Sequence, residues 1–130
     1  MTKKELSQLN YLRREILEIQ GRIKALETLV TNCTTEISDM PKPQEINDKI
    51  GKYSAQIADL KTEFEIKIHH CYRELLRLNR YIEGVEDRQM RTILALRYIH
   101  GLTWQQIAYR IGKQDEQYPR KKHNAFLRGN

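Results

Sequence analysis

With 130 residues, 31% of them charged and 39% hydrophobic, the chain has enough apolar side chains to fold, and its three Pro and six Gly leave little room for loop. No apolar run approaches the ~18 residues that span a bilayer, and the opening MTKKELSQLN lacks the apolar core of a signal peptide, so a cytoplasmic protein making no membrane contact is expected. The net charge of +6 is uneven: residues 84–130 hold 9 Lys and Arg against 4 Asp and Glu, residues 1–83 hold 14 against 13, so the basicity lies where a phosphate-bearing partner would be met.

From Leu9 the apolar residues fall at Leu12, Ile16, Ile19, Ile23, Leu26 and Val30, steps of three and four that make a heptad seam. Leu6, Leu17 and Leu29 widen it. A helix from about Thr2 to Thr31 is expected, its outer face carrying Arg13, Arg14, Glu15, Glu18, Arg22, Lys24 and Glu27 as solvated charge. The stretch TNCTTEISDMPKPQ reads as a connection, because Pro41 and Pro43 cannot lie in a helix interior, and Pro43 suits the first turn of the next helix.

A second seam runs through Ile46, Ile50, Tyr53, Ile57, Leu60 and Phe64, then Ile68, Cys71, Leu75, Leu78, Ile82 and Val85. The steps from Leu60 to Phe64 to Ile68 are four and four, which relaxes a left-handed supercoil. The two helices should fold back as an antiparallel hairpin, and their wide stripes favour pairing of hairpins into a four-helix homodimer, a monomer with a partner-binding groove being the alternative. The second helix outruns the first, so apolar surface near residues 72–82 should meet the C-terminal segment. Cys33 and Cys71 are too few for a disulfide framework, and a bond between them within one hairpin is not expected. His69 and His70 point about 100° apart on a helix and cannot share an ion, so no metal site is expected.

Gly84 ends the long helix, and EDRQMRTILALRYIHG opens another with acids first and Arg97 and His100 last, as the helix dipole favours. Its core side is Ile93, Leu94 and Leu96. Gly101 stops it, and Thr103 with Gln106 forms a capping box for a short helix from Trp104 to Ile111, with Ile107, Ala108 and Ile111 inward and Gly112 as its exit. Small Ala108 and Gly112, four residues later, have the spacing of a helix-turn-helix. Tyr118 is placed to meet the preceding helix. Asp115 and Glu116 read as helix-start or turn residues, and Pro119 suits the first turn of the following helix. From Pro119 onward Arg120, Lys121, Lys122 and Arg128 are cations without an acid, and Ala125, Phe126 and Leu127 can anchor them.

The stretch RTILALRYIHGLTWQQIAYRIG, residues 91–112, resembles the DNA-binding fourth region of bacterial sigma factors, and more closely the sigma-like C-terminal domain of small phage and prophage proteins such as late-gene regulators of the ArpU type. The resemblance covers residues 85–128. It implies that the Thr103–Ile111 helix supports, that the segment from Asp115 to Arg128 enters the major groove of double-stranded DNA, and that Thr103, Trp104, Gln105, Gln117, Arg120, Lys121, Lys122, His123 and Arg128 make the contacts. Trp104 has a second reading, packing beneath the first helix of the domain.

The expected architecture is therefore all-α: a coiled-coil-like hairpin over residues 1–84, for dimerisation or contact with RNA polymerase, then a helix-turn-helix domain over residues 85–130. The expected function is that of a DNA-binding transcriptional regulator of phage or mobile-element origin. A phage DNA-packaging recognition subunit and a helical interaction module without DNA binding are the alternatives. No Gly-rich phosphate loop, metal-spaced cluster or nucleophile motif occurs, so neither enzymatic activity nor a cofactor is expected.

Overall fold

The computed structural model describes residues 1–36 and 43–129, and among them it is all-α, with no strand. Helix α1 (Lys3–Leu6) is a single turn capped by Thr2, whose hydroxyl accepts from the Glu5 amide. Helix α2 (Gln8–Glu36) follows after Ser7, whose hydroxyl donates to the Lys3 carbonyl at 2.8 Å. The single helix expected from Thr2 is thus interrupted at Ser7, whose amide still donates to the Lys3 carbonyl at 3.0 Å. At its other end α2 continues past the expected Thr31 to Glu36, since no Gly or Pro lies between them. Helix α3 (Pro43–Glu83) begins at the proline expected in its first turn. Pro41 lies outside the described residues.

Helix α4 (Arg88–Leu94) is capped by Asp87 and runs into a π-helical stretch, Ala95–Ile99, where a regular helix to His100 was expected. The wider turn has a packing reason. At about 100° per residue, Arg97 would continue the core stripe of Met90, Ile93 and Leu94; the extra residue turns Arg97 aside and brings Tyr98 inward, to 2% exposure. Gly101, at φ 69, then reverses the chain as only glycine does without strain. Helices α5 (Trp104–Arg110) and α6 (Gln117–Arg128) complete the chain.

The chain divides into two compact units, Met1–Arg13 with His70–Asn130, and Arg14–His69. Residue 84, the expected domain boundary, marks the end of the long helix; the units divide the chain elsewhere. In the first, Leu78, Ile82 and Val85 join Met90, Ile93, Leu94, Tyr98 and Ile107 in one core, so the end of α3 is covered by the C-terminal helices. Leu6 and Leu9 enter the same core, each 1% exposed, and the Arg13 guanidinium donates to the Ile99 carbonyl. The amino-terminal turn is therefore part of this unit, a partnership between residues some 80–100 positions apart that periodicity cannot show.

In the second unit Ile16, Ile19 and Ile46 are buried, but Ile23, Leu26, Val30, Ile57, Leu60 and Phe64 are only half covered. Glu15 pairs with Lys67 at 2.6 Å and Glu27 with Lys61 at 4.0 Å, partners that recede along α3 as α2 advances, the sense of antiparallel helices. The Glu15 hydrogen bond holds the Lys67 ammonium above its ordinary pKa. Ile68, expected on the seam, is 43% exposed: the four-residue step from Phe64 carries it off the stripe, and half-buried Lys67 takes the place facing α2.

Candidate nucleic-acid interface

The region expected to carry function lies within the first unit. The capping box before α5 is formed as its spacing requires: the Thr103 hydroxyl accepts from the Gln106 amide at 3.2 Å, and the Gln106 side chain accepts from the Thr103 amide at 2.9 Å. Ile107 and Ala108 are buried, and Gly112, at φ 81, turns the chain so that the Lys113 amide meets the Ala108 carbonyl at 2.8 Å. Asp115 accepts from the Gln117 amide at 2.9 Å and so starts α6, whose first turn contains buried Pro119. Proline there removes only an amide that no helical carbonyl would have received.

The inner side of α6 is bolted down at three places. Lys122 donates to Asp87 at 2.9 Å and to Gln89 at 2.6 Å, and the Tyr118 hydroxyl reaches the same Gln89 oxygen at 3.0 Å. Lys122 is thus held against the amino terminus of α4, and its hydrogen bond keeps the Asp87 carboxyl below its ordinary pKa. Phe126 and Leu127 pack on the core; Ala125 stays exposed. Between them His123 is fully buried, its Nε2 2.5 Å from the Tyr98 hydroxyl and its ring 4.9 Å from that of Trp104.

The protonation of that ring follows from its neighbours. Asn124 Oδ1 stands 3.0 Å from His123 Nδ1 and can only accept, so Nδ1 carries the proton. Burial, foremost, pushes the imidazole pKa below its ordinary value, with Lys3 and Arg97 adding to the effect. The neutral ring leaves Nε2 as acceptor for Tyr98, whose own pKa burial pushes up to about 12.

Two expected site residues are corrected by this packing. His123 cannot touch DNA, because no part of it reaches solvent. Lys122 points back to α4 rather than outward. Trp104 is half-buried between His123 and Arg97, whose guanidinium lies 4.4 Å from the ring centroid while donating to the Leu102 carbonyl, which is the packing reading of that residue. The Thr103 hydroxyl is engaged in its cap. Gln105 is exposed on α5 beside Tyr109, itself 83% exposed.

Arg120, Lys121 and Arg128 are exposed on α6 and Gln117 is half-exposed on the same face. Asn124 belongs with them, an uncharged residue that a count of cations passes over. Its signal is spacing: Gln117, Lys121, Asn124 and Arg128 advance by four, three and four, a second stripe on the opposite face from Pro119, Phe126 and His123. Among the described residues no group of acids, cysteines and histidines could hold a metal ion, and no helix is long and apolar enough to cross a membrane.

No curated protein and no solved structure matches the chain. A family model described as "Protein of unknown function (DUF1492)" matches residues 44–130, most of the chain, and the chain belongs to that family.

Proposed function

We propose that this chain is a sequence-specific DNA-binding regulator in which α5 and α6 act as a helix-turn-helix of the sigma-region-four type. The observation that carries the reading is the division of α6 into two faces. One is pinned through Lys122, His123 and Phe126, and the other presents Arg120, Lys121, Asn124 and Arg128 to solvent with no acid among them. A helix held rigidly from behind with a cationic outer face meets what the major groove requires of a reading helix. In this reading Asp115 and Glu116 stay at the start of the helix, and residues up to 84 form a hairpin whose half-covered seam around Ile23 and Phe64 pairs with a second copy.

The test is binding of the purified full chain to duplex fragments selected from a genomic pool, repeated across salt concentrations. Each phosphate contact contributes about 0.9 to the slope of log affinity against log salt, so the double substitution Arg120→Ala and Lys121→Ala should weaken binding and flatten the slope by about 1.8. Lys122→Ala, removing a cation already engaged with Asp87, should leave the slope unchanged. Unaltered affinity and slope in the double variant would end the DNA-binding reading and favour a protein partner.

A further inference from the structure

We infer that Asn124 reads an adenine in the major groove, an inference that rests on the DNA-binding reading of α6. Counting about 100° per residue from Arg120 at zero, Lys121 lies at about 100°, and between them fall Asn124 at about 40°, Gln117 at about 60° and Arg128 at about 80°. Cations thus stand at both edges of the exposed arc, and two uncharged amides stand near its middle. An amide gains little from phosphate, whereas the groove floor is where its paired donor and acceptor find a match. Asn or Gln takes adenine bidentately, the amide oxygen receiving the N6 hydrogen and the amide nitrogen donating to N7.

Asn124 is also the better oriented of the two. Its Oδ1 receives the His123 Nδ1 proton at 3.0 Å, while His123 Nε2 is fixed by the Tyr98 hydroxyl at 2.5 Å. This contact holds the Asn124 amide against the buried ring by its Oδ1 end. Oδ1 keeps a second lone pair for the adenine N6 hydrogen, and both Nδ2 hydrogens remain for N7 and solvent. An exposed Asn ordinarily samples both amide orientations. This one is held by a chain running from α4's π-helical extension through α6 to the outer face, as a base-reading group needs.

The experiment selects a preferred site from random duplexes with the full chain and with Asn124→Ala. Each preferred adenine is then replaced by 7-deazaadenine, which lacks the N7 acceptor. With the unaltered protein, one such replacement removes one of the two hydrogen bonds and should weaken binding by about 2- to 13-fold, the worth of a single hydrogen bond. Asn124→Ala should lose preference at that base pair alone and be indifferent to the 7-deaza substitution there. If the unaltered protein enriches no sequence, the DNA-binding reading falls and this inference with it. If it enriches a site, but no adenine in it is sensitive to 7-deaza replacement or Asn124→Ala keeps every base preference, Asn124 is not a reader and DNA binding stands without it. The modified-base arm uses the unaltered protein, so it decides the question even if the variant folds poorly.

Discussion

Replacing His123 separates packing from hydrogen bonding at the junction of three helical segments. The ring is fully buried, holds the Tyr98 hydroxyl and lies against Trp104. His123→Phe keeps an aromatic ring of similar size but leaves the Tyr98 hydroxyl buried without a partner, which should cost about 1–3 kcal/mol. His123→Ala adds a cavity and should cost about 3–5 kcal/mol, as aromatic deletions in cores do. The ring also makes the unit sensitive to acid. Burial holds the folded imidazole below its ordinary pKa of 6.5, so between that value and the lower folded one the unfolded chain binds a proton that the folded chain refuses. Stability attributable to His123 is therefore complete above pH 6.5 and declines as pH falls toward the folded value, by at most about 1.4 kcal/mol per pH unit. Trp104 is the sole tryptophan and adjoins the ring, so its emission during urea denaturation at pH 7.5 and 5.5 reports on this unit. The unaltered protein should lose stability between the two pH values, and His123→Phe should be less stable at pH 7.5 yet lose less on acidification. Equal acid sensitivity in both proteins, or a His123→Ala midpoint indistinguishable from the original, would refute the placement of the ring.

Two further expectations concern the backbone and the seam. Gly112→Ala should destabilise the first unit by about 1–2 kcal/mol in the same assay: a Cβ there meets open space, so the cost is that of holding an L residue at φ 81. Charged residues at Ile16 and Ile23 should dissociate or unfold the proposed dimer, since Ile16 is 8% exposed and Ile23 half-covered; light scattering that found the unaltered chain monomeric at tens of micromolar would remove the dimer from the reading.

Local signals in this sequence were enough for the presence of its long helices and for several of their ends, though not for the break at Ser7 or the extension of α2 to Glu36. The seams from Leu9 and Ile46, the Thr103 and Gln106 box, and the glycines at 101 and 112 act through neighbours within a few residues, so spacing alone reveals them. The basic character of α6 was legible in the same way. Tertiary structure decided which of its residues are available. Lys121 and Lys122 are consecutive cations, yet only packing against α4 separates the exposed one from the one held by Asp87. His123 reads in sequence as one more polar residue in a basic run, and becomes a buried link because Tyr98 is turned inward by a π-helical stretch that no periodicity announces. Leu6 and Leu9 likewise belong to the core of the C-terminal helices through contacts distant in sequence. Periodicity gives the face a residue occupies on its own helix; what that face meets depends on chain segments far away.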